Sequence, residues 1–451
     1  QGPHVHFEIR DTKTNKCLNP LLFGFSIADA VPPTLVRLAM YERGISVYEQ
    51  TPRLFALKKT DTGYIIPKAD LIVTGSNKFS FAIQAYDKLT GSGNPNGIYS
   101  ASLFFDEQPL CKFVIDDMDY GETKYLNAHI DYRYRHNGGP FLQHLSKLPG
   151  DKSPVYDLIN GDGEINLNDT NLHDVRIEVK DAYMNVSELS FKVQHSDSLM
   201  VPGGITASSV ILYPDNVNVF EREDFEIYID EDAIYDSVHI FYYRTNELYA
   251  GSVSGNHHIG DPSIPVHTDF TVRIKPTVAI SPDLKNKVVI RRNKGGRRNV
   301  QKAEWQNDWL SAKFDEFGSF QAFVDEASPQ INSLGNADTI DLSAASRIAF
   351  QPVDNFGIKS FRAELDGKWL RFTNDKYWSY IYVFDEKCPY DIHELKIIVE
   401  DLVGNITEKG WWFKRGPYTP PKKKAMKKKK SGKKGSGKKK AISGKKIKKK
   451  K

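Results

Sequence analysis

Cysteine is scarce in this chain of 451 residues: Cys17, Cys111 and Cys388 are three in number and far apart. An odd, sparse set of thiols supplies neither a disulfide framework nor a thiolate metal site, which excludes the small disulfide-dense secreted class and leaves export itself open. No apolar run reaches 18 residues, so no membrane-spanning helix is expected. No signal peptide opens the chain, which starts at Gln1, so the expectation is a chain that begins inside a domain with its true amino terminus upstream. There is no Ser-His-Asp context, no phosphate-cradling glycine loop and no dinucleotide fingerprint. Acidic residues are missing from the last thirty positions, 422–451, which carry 18 lysines. Without that segment 44 basic residues face 57 acidic ones, a net of −13, so the overall +5 conceals an acidic body and a polycationic tail.

What is plentiful is β-forming sequence. Hydrophobics at 40% and aromatics at 12% are ample for packed cores, and the length allows roughly two to four domains. After residue 25, short alternating runs rich in Val, Ile, Tyr and Phe are separated by Gly, Asn, Asp and Pro, as at Phe79–Tyr86, Val175–Val179 and Ser237–Tyr243. Asp366-Gly367-Lys368 between Phe361–Leu365 and Trp369–Phe372 signals a hairpin, because Gly accepts the positive φ of such turns. No amphipathic helix of three turns is evident.

An internal repeat sets the domain boundaries. Val179-Lys180-Asp181-Ala182-Tyr183-Met184-Asn185-Val186-Ser187 matches Val399-Glu400-Asp401-Leu402-Val403-Gly404-Asn405-Ile406-Thr407. Each copy reads strand, Asp-led turn, strand. Val31-Pro32-Pro33-Thr34-Leu35 and Ser328-Pro329-Gln330-Ile331 read as the openings of the same units, with Pro placed where a missing N–H is harmless. We read the units as immunoglobulin-like β-sandwiches. The V-x-D-x-x-G-N-x-[ST] ending resembles Ig-like repeats of exported bacterial proteins, with Met184 in place of Gly in the first copy. The expected fold is mainly β: a remnant of a peptidase sheet at 1–25, a sandwich with an insertion at 26–197, a second at 198–326, a third at 327–415, and a disordered Lys-rich tail at 416–451.

Before these units stands Gly2-Pro3-His4-Val5-His6-Phe7-Glu8-Ile9-Arg10. A strand would put His4, His6 and Glu8 on one face and Val5, Phe7 and Ile9 on the other, so the apolar set can pack while two imidazoles project into a cleft. Two histidines at that spacing are a weak signal, more often served by ordinary hydrogen bonds; the flanking residues add the information. With Asn19-Pro20-Leu21-Leu22 they resemble the closing H-x-H strand and exit of the M23 (lysostaphin-like) metallopeptidases. Thr123–Tyr132 and Gly138–Leu145 resemble the region after the peptidase domain in M23 proteins of Bacteroidota type.

The resemblance implies a zinc endopeptidase acting on peptidoglycan peptides. His6 corresponds to a zinc ligand and His4 to the non-ligand catalytic histidine. The family's other ligands, in an H-x-x-x-D motif, precede H-x-H, so this chain alone is expected to be inactive. The alternative is a non-catalytic cell-envelope binding or activator protein with a degenerate M23 domain.

Other candidates have ordinary readings beside them. His129 and Asp131, near His136 and His144, could hold a metal or make routine hydrogen bonds in a loop-rich insertion. Asn160–Asp169 has the spacing of a calcium loop, but Leu158 stands at the first ligand position, so a Gly-rich hairpin turn is expected. His257-His258 reads as an exposed turn, and Trp411-Trp412-Phe413 as core and edge packing or a sugar-stacking platform. The lysine tail seeks polyanions of the envelope or surface. It lacks the arginines and aromatics that nucleic-acid binding usually adds. The implied location is exported: periplasm, outer-membrane surface or extracellular.

Overall fold

A computed structural model describes residues 7–25, 27–199, 209–294, 297–375 and 378–418. It is mainly β, and its α-helices, Leu126–His129 and Tyr132–His136, are single turns. Two compact units are distinguished. One comprises residues up to 330 together with 352–361 and 399–407; the other comprises 331–351, 362–398 and the residues from 408 on.

In the first unit, Ile9–Arg10 pairs with Cys17–Leu18, which pairs in turn with Asp117–Met118. The sandwich that follows has one sheet ordered Gln143–His144, Lys78–Tyr86, Thr34–Glu42, Arg53–Ala56, with Ile165–Asn166 also on Lys78–Tyr86. Its facing sheet centres on Gln108–Val114, Ser100–Phe105, His173–Lys180 and Val186–His195. Side-chain alternation decides the packing. Leu38 and Met40 of Thr34–Glu42 enter the core between the two sheets with Phe81, Leu103, Ile177 and Leu189. Ala39 and Tyr41 face the opposite way, into a second core with Ala128, Leu142 and Leu148. A sheet covered on both faces explains the uninterrupted buried run Phe79-Ser80-Phe81-Ala82-Ile83.

The cover on that second face is the insertion. Asp131 caps the helix Tyr132–His136 by accepting from the Tyr134 N–H at 2.8 Å, and its other oxygen accepts from Tyr41 Oη at 2.7 Å. Asn160–Asp169 does not close a hairpin as expected. Tyr156–Leu158 before it pairs with Gln108–Val114, whereas Ile165–Asn166 pairs with Lys78–Tyr86, so the segment crosses from one sheet to the other. Gly163 is required there: its φ is +92°, and a Cβ would lie 2.2 Å from the Leu145 carbonyl oxygen.

The next sandwich, still in the first unit, has a six-stranded sheet ordered Ser209–Leu212, Val238–Thr245, Asn256–Ile259, Gly318–Val324, Val288–Lys294, Arg297–Lys302. A five-stranded sheet faces it, ordered Asn218–Glu221, Phe225–Ile229, Phe270–Ile274, Trp309–Phe314, Glu304–Gln306. Phe225, Phe270, Phe314 and Phe320 fill the core. His257 and His258 are not in an exposed turn. They lie in Asn256–Ile259, and His257 is fully buried, stacked 4.7 Å from Phe225. Apolar neighbours outside the local window, above all Phe225, turned a polar-looking dipeptide into core.

From 331 on, strands Thr339–Asp341, Ile406–Lys414, Ile392–Asp401, Ile358–Leu365 and Lys368–Leu370 form one sheet, and Arg347–Phe350, Tyr380–Val383 and Thr373–Asn374 another. The predicted hairpin is present: Leu365 pairs with Lys368, and Asp366 and Gly367 both take positive φ. The predicted opening at Ser328–Ile331 makes only a single bridge, Gln330 to Val353. Trp411 packs on Phe350, Phe413 is buried and Trp412 is exposed, as strand alternation requires.

The repeat is structurally faithful. Asp181 Oδ1 accepts from the N–H groups of Tyr183 and Asn185, and Asp401 Oδ1 from those of Val403 and Asn405. Met184 adopts φ +66° where Gly404 has +89°. An exposed Met in the left-handed region carries a steric cost that Gly avoids. Met184→Gly is therefore expected to stabilise the first unit by about 1 kcal/mol, read as a higher urea midpoint at unchanged slope.

Candidate functional site

His4 and His6 lie outside the described residues. The strand they lead into is described. Glu8, on their expected face, accepts from Tyr120 Oη and, at 2.9 Å, from Arg10 Nε. These donors hold its carboxyl below the usual range, the Tyr120 hydroxyl contributing most. The expected apolar face departs from prediction: Phe7 is 58% exposed and touches Phe25, and Ile9 is half-buried. The sheet containing Ile9–Arg10 has three strands of two residues each.

The second group of histidines is structural. His129 is buried, with Nδ1 2.9 Å from Tyr156 Oη and Nε2 3.2 Å from Gln143 Oε1. His144 is fully buried, its ring 5.1 Å from Tyr41, and neither ring nitrogen has a hydrogen-bond partner. Burial pushes their pKa values down to about 4 and about 3, so both are neutral. In the Asn160–Asp169 segment the carboxylates are taken up by protein donors: Asp162 accepts from Glu164 N, Glu164 pairs with Lys78 and Arg43, and Asp169 accepts from Asn171 N and pairs with His173.

Where the first two sandwiches meet inside the first unit, a cleft of about 530 Å³ is lined by Tyr48, Glu49, Arg133, Asn137, His239 and Phe241. His239 Nδ1 lies 3.1 Å from Glu49 Oε1 on its wall.

Among the described residues, the side-chain groups close enough to share a metal ion are two, and both are made of aspartates. Asp29, Asp87 and Asp181 form one; Asp325, Asp354 and Asp401 form the other; within each, one carboxylate oxygen per residue lies within 4.8 Å of the others. Neither includes histidine, so the zinc donor set implied by the M23 resemblance has no counterpart there. All six residues belong to the first compact unit. Unit charges at 4.8 Å repel by about 3 kcal/mol per pair at an effective permittivity of about 20.

The two groups are built alike. Asp29 Oδ1 accepts from Val31 N and from Thr90 N and Oγ1, while Asp29 Oδ2 accepts nothing. Asp325 Oδ1 accepts from Asn355 Nδ2 and Ala327 N, while its Oδ2 accepts nothing. Asp87 Oδ1 and Asp354 Oδ1 are likewise without a partner. Asn185 and Asn405 tie each third aspartate to the main chain of the first: Asn185 Nδ2 donates to Asp181 Oδ2 at 2.8 Å and to the Asp29 carbonyl at 3.4 Å, and Asn405 Nδ2 donates to Asp401 Oδ2 at 2.6 Å and to the Asp325 carbonyl at 3.0 Å. Burial first, and then the neighbouring carboxylates, raises the pKa of Asp87 and of Asp325.

Sequence reading found one member of each trio, Asp181 and Asp401, and missed four. The signals were present: Asp29 and Asp325 share D-x-x-x-P-x-[LI], and a Gly-Ile-x-Ser segment follows Asp87 at 97–100 and Asp354 at 357–360.

No curated protein sequence matches the chain. Among solved structures, Bacteroides ovatus SGBP-B of a mixed-linkage glucan utilization locus, in complex with a mixed-linkage heptasaccharide, aligns at 10% identity over 76% of this chain and 65% of its own, with a TM-score of 0.12. This chain thus spans less than two thirds of that protein. Extracellular domains 3–5 of Drosophila OTK align at 8% identity over 77% and 93%, TM-score 0.16. A 1.5-MDa bacterial ice-binding adhesin aligns at 9% identity over 77% and 93%, TM-score 0.13. Residues 209–325, the second sandwich, match the Zu5-like domain family.

Proposed function

We propose that this chain is part of an exported M23-type zinc metalloendopeptidase that acts on peptidoglycan peptides, with its β-sandwiches serving as targeting or spacing modules. The observation that carries the reading is His4-Val5-His6 within Gly-Pro-His-x-His-Phe-Glu-x-Arg. The surface that follows supports it. Phe7, Leu22, Phe23, Phe25, Ile27 and Val31 are all exposed large apolar residues within 25 positions, a denser run than singly scattered surface apolar residues. In this reading His6 is one of three protein ligands, and His4 stands beside the reacting centre to hold or move a proton. The metal supplies an acidified water. The Lys-rich tail, outside the described residues, would hold the protein to polyanions of the envelope.

Zinc content and cross-bridge peptide cleavage by the full-length protein test this. His6→Ala is expected to remove zinc and activity together. His4→Ala should keep zinc and lower the rate by about 10²–10⁴-fold. A full-length protein whose zinc content ignores His6→Ala is not this enzyme. One that lacks zinc but still binds peptidoglycan is the non-catalytic envelope binder.

A further inference from the structure

We propose that the chain binds two hard divalent cations of the calcium class, one at Asp29, Asp87 and Asp181 and one at Asp325, Asp354 and Asp401. This goes beyond the peptidase reading and does not depend on it. The donors are all carboxylate oxygens, the ligand type that selects calcium or magnesium over zinc or copper. An acidic cluster alone carries no such conclusion, since exposed carboxylates are commonly solvated. These are not exposed: Asp87 is 2% and Asp325 0% accessible, and each keeps an oxygen that accepts no hydrogen bond. Buried carboxylate oxygens need a partner. Among the described residues no Lys, Arg or His forms an ion pair with any of the six. Two oxygens on opposite sides of a calcium ion are about 4.8 Å apart, twice a bond of about 2.4 Å, which is the span within which each trio lies.

The second argument is duplication. The trios sit at different sequence intervals, with strands of different length between their members, yet all three aspartates and the asparagine that braces them recur. Two copies of one arrangement, each with two unpartnered oxygens on its first two aspartates, indicate a shared requirement of the site rather than a local accident of packing. The first aspartate of each trio lies on the segment leading into a sandwich and the other two at strand ends or on loops between its strands, so a cation would clamp that leading segment to them.

Calorimetric titration of the full chain with CaCl2, after removal of metal by chelator, tests the proposal. Two calcium ions per chain are expected, with a rise of several degrees in the thermal midpoint at saturation. Asp87→Asn and Asp354→Asn should each reduce the stoichiometry to one, and the double variant to zero. Without calcium, both variants should be at least as stable as the parent, because each removes a repelling charge; a merely structural role would lower the midpoint. MgCl2 should compete only in more than tenfold excess. No binding at millimolar calcium, binding indifferent to both substitutions, or equal competition by magnesium would overturn the assignment.

Discussion

Lowering the pH from 7.5 to 5 is expected to strip about 6 kcal/mol of unfolding free energy from the first compact unit through three histidines, at about 2 kcal/mol each. His129, His144 and His257 are buried, with pKa values pushed down to about 4, about 3 and about 3 by desolvation, from an ordinary value of 6.5. The sign follows from proton counting. Between pH 6.5 and the lowered values the unfolded chain binds protons at these sites and the folded one does not, so stability is full above 6.5 and falls as pH drops. His173 runs the other way, its pKa raised chiefly by the Asp106 carboxylate, and it offsets part of the loss. Urea unfolding at the two pH values gives the size of the effect. His144 supplies the control. Its ring nitrogens have no partners, so His144→Leu should reduce the pH-dependent loss by about 2 kcal/mol. An unchanged pH dependence in that variant would show that His144 is not the buried neutral group described.

Asp236→Ala is expected to cost about 3–5 kcal/mol. Asp236 is buried at the meeting of the first two sandwiches, where its Oδ2 accepts from Val47 N at 3.0 Å, Ser46 Oγ at 3.1 Å and Arg43 Nη1 at 3.4 Å. The Arg43 side chain is buried with it and also lies 3.6 Å from Glu164. Removing the carboxylate strands an amide and a hydroxyl and leaves a buried guanidinium with one partner, which is costlier than losing an exposed ion pair. Thermal unfolding should show a lower midpoint and a split into two transitions as the sandwiches uncouple. A loss under about 1 kcal/mol would mean that water replaces the carboxylate at little cost.

How far the chain could be read from its residues depended on the range of each interaction. Strand positions such as Phe79–Tyr86 and the Asp366-Gly367 hairpin were legible because alternation and turn chemistry are local. The Asp181 and Asp401 turns were legible for the same reason, with the capping donors two and four residues away. His257 was misread because its burial depends on Phe225, thirty-two positions earlier, and Asn160–Asp169 because its flanking strands choose partners in different sheets. The exposure of Phe7 likewise depends on which layer covers a strand, and alternation alone does not specify that.

By itself the sequence determined the mainly β character, the duplicated Asp-led turn, the acidic body with its basic tail, and the resemblance carried by His4 and His6. Only the tertiary structure decided that Asp29 and Asp87 join Asp181, and that Asp325 and Asp354 join Asp401. These residues lie up to 152 positions apart in the chain, and it is the closure of sheet ends upon one another that brings their oxygens within 4.8 Å. A local pattern can place a carboxylate at the start of a turn; three carboxylates converge only when non-local strand pairing fixes the loops that carry them.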